Sequence, residues 1–496
     1  MRLYPKNLSG NSEREIMDKT QFISQSTALI LVIVISLIFT ILGLYHSRKF
    51  QGINNYLTAN RNIGFFSLTT SLVASALGAW ILFGPASAAT WGGIGAVIGY
   101  ALGTAFPMIF LIYLGKKLRK EFPKGSTLIE FLRIKFGKSL FKLILLMMIF
   151  YMFIFLCAEV TAVAILINYI SGTELWITAL IILLATLTYT LYGGLRASIF
   201  TDNIQMIVIG VLLIISAIYL INFNADQFNF SFINQQNPHL LSSTYVPSYT
   251  AGLTFFIAVA ATNLFHQGNW QRVYAAKDYD TLRKSLLVSF FIIIPIVFFM
   301  GFSGLVAISV DAKVIPDLGF FSLLLKEQTE FLSLIIVTLG LALTISTVDT
   351  LVNAISSLIV VDGKATFNLN KKTNYLLLSK YIMIFLSIIA FVIASKGFSI
   401  LYLFLLADLL CCAFVVTVFY SFYDKNINEK TAYISIIIGL IGGLLLFPAP
   451  DFTKSLLVGI LFSKDAFAPF VSQSLLFLSF MVATFLPWVI IKFKKF

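Results

Sequence analysis

Long apolar blocks separated by short polar stretches cover residues 23–45, 65–91, 92–115, 139–169, 175–192, 199–222, 249–274, 285–309, 332–361, 375–394, 398–422, 431–449 and 469–491. Each block is long enough to cross about 30 Å of hydrocarbon at about 1.5 Å per residue. The pattern therefore predicts an all-α polytopic membrane protein of about thirteen transmembrane helices, with its two ends on opposite sides. The first block is too long for a signal peptide and has no small-residue cleavage site behind it, so it is kept as a span.

Two blocks are interrupted. The second reads SLVASALGAWILFGPASAATWG, with small residues from Ala74 to Ala79 and then Gly84-Pro85. The seventh reads TFFIAVAATNLFHQGNWQRVYAAK, with Asn263, His266, Gln267, Gly268, Asn269 and Gln271 crowding its middle and inner half. A helix broken inside a membrane frees backbone amides and carbonyls, which is tolerable only where they line a cavity or bind something. The breaks lie five spans apart, and broken helices at corresponding places in two halves point to an inverted repeat with its site near the midplane. Spans 2–6 and 7–11 are then related by a pseudo-two-fold axis, with one leading and two trailing helices. The divisions that follow are an extracellular arm 1–22, a leading helix and cytoplasmic loop 23–64, a first repeat 65–224, an outer loop with the second repeat 225–422, and two trailing helices with a cytoplasmic tail 423–496.

The ninth block carries the densest polar stripe, GLALTISTVDTLVNAISSLIVVDG from Gly340 to Gly363. Leu343, Ser346, Thr347 and Thr350 fall at i, i+3, i+4 and i+7 and share one helix face, with Asp349 and Asn353 beside it. Hydroxyl and carboxylate oxygens along one line suit a hard monovalent cation such as sodium. The competing reading, polar packing between helices, accounts for the Ser and Thr residues but poorly for Asp349.

Composition narrows the class. The chain of 496 residues is 59% hydrophobic and 11% charged, which excludes soluble folds. The net charge of +13 reflects cytoplasmic loops and not a nucleic-acid partner, because an outward N-terminus puts 26 of the 35 Lys and Arg residues on the inner side. That orientation, with the C-terminus cytoplasmic, is expected for an integral protein of the plasma (inner) membrane. Cys157, Cys411 and Cys412 all lie in apolar blocks and read as buried thiols, without disulfide or metal spacing. No nucleotide-binding loop, metal triad or nucleophile constellation is present, so an enzyme is not expected.

Four motifs then add a resemblance. Tyr192–Gln205 (YGGLRASIFTDNIQ), Gln271-Arg272 followed by Ala275-Ala276-Lys277-Asp278, the Ser346-Thr347 helix and Asn54–Arg61 (NNYLTANR) resemble, in order and placement, the sodium:solute symporter family over about residues 50–420. The resemblance implies a LeuT-type 5+5 inverted repeat. It also implies a sodium cage of the Ala74 and Leu77 carbonyls at the first break, the Leu343 carbonyl, and the Ser346 and Thr347 hydroxyls. Some members are similar in having a further sodium site, which here implicates Asp202, Asp349 and Thr350. Asp349 stands where many relatives carry Ser. It either adds a cation, sodium or proton, or is a structural carboxylate paired with Arg196 or Arg272.

Candidates for the solute are Ser71, Ser75, Gly78 and Trp80 on the second span, Glu159 on the fourth, Thr262, Asn263, His266 and Gln267 on the seventh, and Asp408 on the eleventh. Each has a plainer reading: Trp80 as a packing aromatic, His266 as a hydrogen-bonded residue at a helix break, Glu159 and Asp408 as acids paired with a neighbour's donor. No basic residue sits mid-membrane in these spans. The polar set suits a small neutral or zwitterionic solute, and an amine-bearing one would need Glu159 or Asp408. The expected function is inward symport of a small organic solute with sodium as the co-transported ion, by alternating access. A proton-coupled carrier using Asp349, Asp202 or His266 and a transporter-like membrane sensor are the alternatives. The expected partners are the solute, the sodium ion and the lipid bilayer; the sequence does not set the solute, the cation number or the oligomeric state.

Overall fold

The computed structural model describes residues 22–223, 225–326, 329–363, 366, 374–424, 427–449, 455 and 468–493. The expected arm (but for residue 22), most of the stretch 450–467 and the last three residues lie outside the described residues. The membrane helices are α1 Gln25–Lys49, α2 Phe65–Ala76, α3 Gly84–Glu121, α4 Lys138–Ser171, α5 Leu175–Phe223, α6 Val246–Phe265, α7 Gln267–Ala275, α8 Tyr279–Val310, α9 Glu330–Val361, α10 Tyr375–Ala394, α11 Ile400–Tyr420, α12 Glu429–Leu446 and α13 Ala468–Phe493.

Eleven of the described helices are long and apolar enough to cross a membrane. Two of these are pairs fused at a glycine in the left-handed region: α3 turns at Gly93 (φ 60°) and α5 at Gly194 (φ 58°). Separated there, they give the thirteen membrane segments the sequence predicts, with α2 and the first limb of α3 as the two halves of the second segment, and α6 and α7 as those of the seventh. Only glycine suits these turns. A side chain would be strained at positive φ, and at Gly194 its Cβ would lie 2.5 Å from the Tyr56 ring.

The second limb of α3 packs along α6 and α8. The approach is backbone to backbone, since a Cβ on Gly99 would lie 2.0 Å from the Gly252 carbonyl oxygen. Lipid supplies little hydrophobic force between helices, so small residues that permit such contact hold them together. Before α2, the strand-like Ile63 pairs with the end of α7 and the segment after it, its N–H donating to Ala275 O (3.0 Å) and its carbonyl accepting from Lys277 N (3.1 Å). The α2 and α7 ends of the two broken segments are thus tied together.

At the centre, α9 is buried from Leu339 through Ile359 and packs against α4, α5 and α10. By contrast α1 and α10 turn Ile33, Leu37, Ile41, Phe385 and Ile388 outward, as lipid-facing helices do. The polar stripe of α9 therefore meets protein on every side, which fixes where its oxygens must find partners.

Candidate substrate cavity and cation sites

The first break begins after Ala76. Leu77 (φ −111°, ψ 92°) and Gly78 (φ −92°, ψ −177°) are extended, and the chain crosses through a single 3-10 turn, Ala79–Leu82, before α3 starts. The amides freed there find Glu159, fully buried on α4, whose carboxylate accepts from Ala79 N at 2.9 Å and Trp80 N at 3.4 Å. A Cβ on Gly78 would lie 2.3 Å from the Glu159 carboxylate and 2.8 Å from the Thr347 hydroxyl, so glycine lets α4 and α9 close on the break. Glu159 and Gly78, expected to meet the solute, instead build the break itself.

The second break is one residue wide: His266 (φ −62°, ψ 105°) separates α6 from α7. Side chains beyond it satisfy carbonyls before it, Asn269 Nδ2 donating to Asn263 O (3.0 Å) and Trp270 Nε1 to Leu264 O (2.7 Å). Gln267, expected in the cavity, points inward instead, its amide donating to Ser126 O at 3.0 Å and Ser357 Oγ at 3.4 Å.

Between the breaks lies a narrow cavity lined by Ser75, Ala76, Trp80, Tyr100, Phe155, Val259, Thr262, Asn263, His266, Thr347, Phe404 and Asp408. Six of the ten expected solute residues meet there: Ser75, Trp80, Thr262, Asn263, His266 and Asp408. Tyr100, Phe155 and Phe404 are additions. Trp80 stacks on Tyr100 (5.5 Å between centroids), and Phe155 meets Phe404 edge-on (4.6 Å). These aromatics come from separate helices with no motif around them, and nothing in the sequence sets them apart.

Below the cavity sits a buried charge cluster. Arg272, read as an inner-end residue, is wholly buried and pairs with Asp202 at 2.7 Å; both side chains are fully covered. Its guanidinium also donates to Ser71 Oγ (2.7 Å), Gly268 O (3.0 Å) and Thr350 Oγ1 (3.1 Å), while Ser71 donates to Asp202 at 2.6 Å. Ser71 therefore belongs to this cluster and not to the cavity. Asp349 pairs with neither candidate arginine. It accepts from the Tyr189 hydroxyl, from Ser198 Oγ (2.8 Å) and from Thr201 Oγ1 (3.1 Å), with Thr350 Oγ1 at 3.4 Å. Arg196 donates to Ala59 O at 3.1 Å and lies over the Phe50 ring. The physical reason is topological: Asp349 faces α5, whereas Arg272 reaches α9 from the α7 side.

The five residues of the expected sodium cage fall on two neighbouring elements. Ala74 and Leu77 stand at the end of α2, where Leu77 N donates to Ala74 O at 3.3 Å and Val73 O at 3.0 Å. On α9, Thr347 donates to Leu343 O (3.1 Å) and Ser346 to Asp202 (2.7 Å). Both hydroxyls use their hydrogens within the protein and so keep lone pairs for a cation. The donor set, neutral oxygens from a helix end and two hydroxyls, fits a hard monovalent ion.

Comparison with known proteins agrees with this architecture. The model of the sodium:solute symporter family matches residues 56–439. A spermidine transporter, DUR31, of Candida albicans is 26% identical over 389 residues, covering 77% of this chain and 72% of its own length. A sodium/proline symporter of Haemophilus influenzae is 26% identical over 267 residues, 51% of this chain and 52% of that one. Among solved structures, a Na+-coupled sialic acid symporter in a substrate-bound outward-open state superposes with a TM-score of 0.68 at 16% identity, covering 93% of this chain and 97% of that one. That similarity is one of fold, the LeuT-type 5+5 repeat. The chain is an integral membrane protein and belongs to the sodium:solute symporter family.

Proposed function

We propose that the protein couples sodium entry to inward transport of a small organic solute by alternating access. The observation that carries this reading is the meeting of the α2 break with α9: the Thr347 hydroxyl stands against Gly78 at the break, and Ser75, Ala76 and Thr347 line the cavity together, so the Ala74, Leu77 and Leu343 carbonyls with the Ser346 and Thr347 hydroxyls are the oxygens we assign to the cation. A cation there and a solute in the cavity share one structural joint, which is what coupling requires. The reading includes an N-terminus outside, a cytoplasmic C-terminus and residence in the plasma (inner) membrane, following the Lys and Arg bias. Names of relatives span a polyamine, an amino acid and sugars, so they supply the list of solutes to try.

Purified protein in liposomes, with an inward sodium gradient replaced by potassium in the control, provides the test. Solute accumulation that follows sodium and falls at least tenfold in Thr347→Ala supports the reading. Accumulation driven equally well in sodium-free buffer by a pH gradient refutes sodium coupling.

Asp349 supports a second cation within this proposal. Asp202 has the Arg272 guanidinium, whereas Asp349 is buried among hydroxyls with no basic partner among the described residues, so a further positive charge would balance it. Asp349→Asn is expected to lower the charge moved per solute; an unchanged charge-to-solute ratio and unchanged sodium dependence would rule this role out.

A further inference from the structure

We infer that the solute is an organic cation, a protonated amine held by Asp408 within an aromatic wall. This rests on the transporter reading above and names its substrate class. Asp408 lies on α11, is 4% exposed and lines the cavity, yet has no basic partner among the described residues. Its recorded hydrogen bond is from Thr262 Oγ1 to Oδ1 at 2.5 Å, which leaves Oδ2 for another donor. A carboxylate at membrane depth is costly without a counter-charge, and a positively charged solute supplies one. Glu159, the other acid of this layer, already has its amides at the first break, so it does not compete.

The remaining polar groups are biased the same way. Ser75 donates to Leu72 O, Thr347 to Leu343 O and Asn263 Nδ2 to Val259 O. Ser75 and Thr347 thus offer the cavity lone pairs, and Asn263 its Oδ1 together with one N–H. The Nδ1 of His266, 5% exposed, has no partner among the described residues. Open donors are the Trp80 indole N–H, the Tyr100 hydroxyl, one Asn263 N–H and one His266 ring N–H, all neutral, and the Asp408 carboxylate is the one acidic group of the lining. Such a lining discriminates against a carboxylate or phosphate and rewards a group rich in N–H.

The walls add to this. Trp80 stacks on Tyr100, which also stacks on Phe255, and Phe155 meets Phe404 edge-on. Ring faces attract ammonium groups, more strongly where water is excluded, and the Trp80, Phe155 and Phe404 rings of the lining are the ones left for this. A slim aliphatic amine would lay its methylenes on these rings with its ammonium at Asp408. Glucose-like polyols would leave the carboxylate without a counter-charge.

The test uses the whole protein in detergent and in liposomes, with 1,4-diaminobutane, its uncharged counterpart 1,4-butanediol, proline and glucose as probes, each with sodium and with potassium. The diamine is expected to bind in sodium and the diol not to, a contrast that needs no variant. Asp408→Asn is expected to weaken diamine binding by roughly 10- to 100-fold, as loss of a charged hydrogen-bond acceptor does. Asp408→Glu should recover part of the loss, and the sodium-only thermal shift should stay as in the wild type. Sodium-dependent uptake of proline or glucose without any amine response overturns this inference and leaves the symporter reading standing. Diamine uptake unchanged in Asp408→Asn overturns it as well. Diamine uptake that needs Asp408 but ignores sodium upholds the substrate class and removes the coupling.

Discussion

Replacing Glu159 by Gln separates the cap of the first break from everything around it. The carboxylate is fully buried and accepts two backbone N–H groups, from Ala79 and Trp80. Hydrogen bonds to a charged acceptor contribute about 1.5–3 kcal/mol each. Glutamine retains one acceptor oxygen and turns an NH₂ toward the other donor, so the expected loss is about 2–4 kcal/mol, the strong pair becoming one neutral bond and one clash of donors. The loss is not shared evenly over the fold. The Glu159 carboxylate and Thr347 occupy the space a Cβ on Gly78 would need, so the strain falls on the segment that presents the Ala74 and Leu77 carbonyls. At about 1.4 kcal/mol per factor of ten, the rise in sodium half-saturation is expected to be roughly 30- to 700-fold where the whole loss falls on that segment. The assay is the sodium dependence of the melting temperature without solute, followed by uptake at saturating sodium, where the rate should largely recover. A melting temperature lowered in all conditions with half-saturation unchanged within about twofold would refute the argument, because Glu159 would then be a helix cap and nothing more.

Two further outcomes follow from local geometry. Gly194→Ala is expected to cost at least about 2 kcal/mol, from the positive φ and the Cβ contact with Tyr56, whereas Gly210→Ala in the same helix, where nothing lies within 4 Å, is expected to be neutral or stabilising by about 0.5–1 kcal/mol; thermal unfolding of both reads the difference. Asp362, just past α9 on the inner side, is buried with Thr127 Oγ1 at 2.8 Å, and burial pushes its carboxyl well above the ordinary value against the lowering effect of that bond. A raised folded-state value means the fold favours the protonated form, so this contribution is complete at low pH and is lost as the pH rises through the raised value. Asp362→Asn should flatten the alkaline limb of melting temperature against pH; an unaltered limb would place its source elsewhere.

Legibility in the sequence followed the physics of each feature. Membrane segments are long and apolar, so their number and the two breaks could be read from hydropathy and from clusters such as ALGAW and HQGNW. The turn at Gly194 falls within the expected connection 193–198, and that at Gly93 just past the expected boundary between residues 91 and 92. The cavity was half legible. Polar candidates at the breaks stood out against apolar surroundings, but with 49 Phe residues in the chain nothing singled out Phe155 or Phe404. Arg272 was misjudged because a basic residue near the inner end of a span ordinarily reaches water. Its partner Asp202 lies seventy residues earlier, and only folding brings them together. Glu159 shows the same limit: a lone membrane acid signals a role, and the distant N–H groups that define it carry no side-chain signature.

The charge cluster and the proposed sodium cage are mechanically one object. Ser346 donates to Asp202 and its neighbour Thr347 abuts Gly78, so α9 holds the cluster with one residue and the cage with the next. Arg272 on α7 binds Ser71 on α2, Asp202 on α5 and Thr350 on α9, which joins the inner halves of both broken segments to the two helices beside them. Pulling α2 or α7 away to open the inner side therefore breaks contacts to a buried guanidinium, and removing one partner from such a pair costs about 3–5 kcal/mol while it stays dry. Water entering from the inner side replaces those contacts, so the cost is paid only until the path floods. The same movement draws the Ala74 and Leu77 carbonyls from Ser346 and Thr347. An inward opening that left the cage intact would have to bend α2 between Ser71 and Ala74, within a single helical turn that has neither glycine nor proline. Under the proposed function, cation release and inner-gate opening would then be steps of one motion, with the guanidinium as the latch that keeps the unloaded path closed.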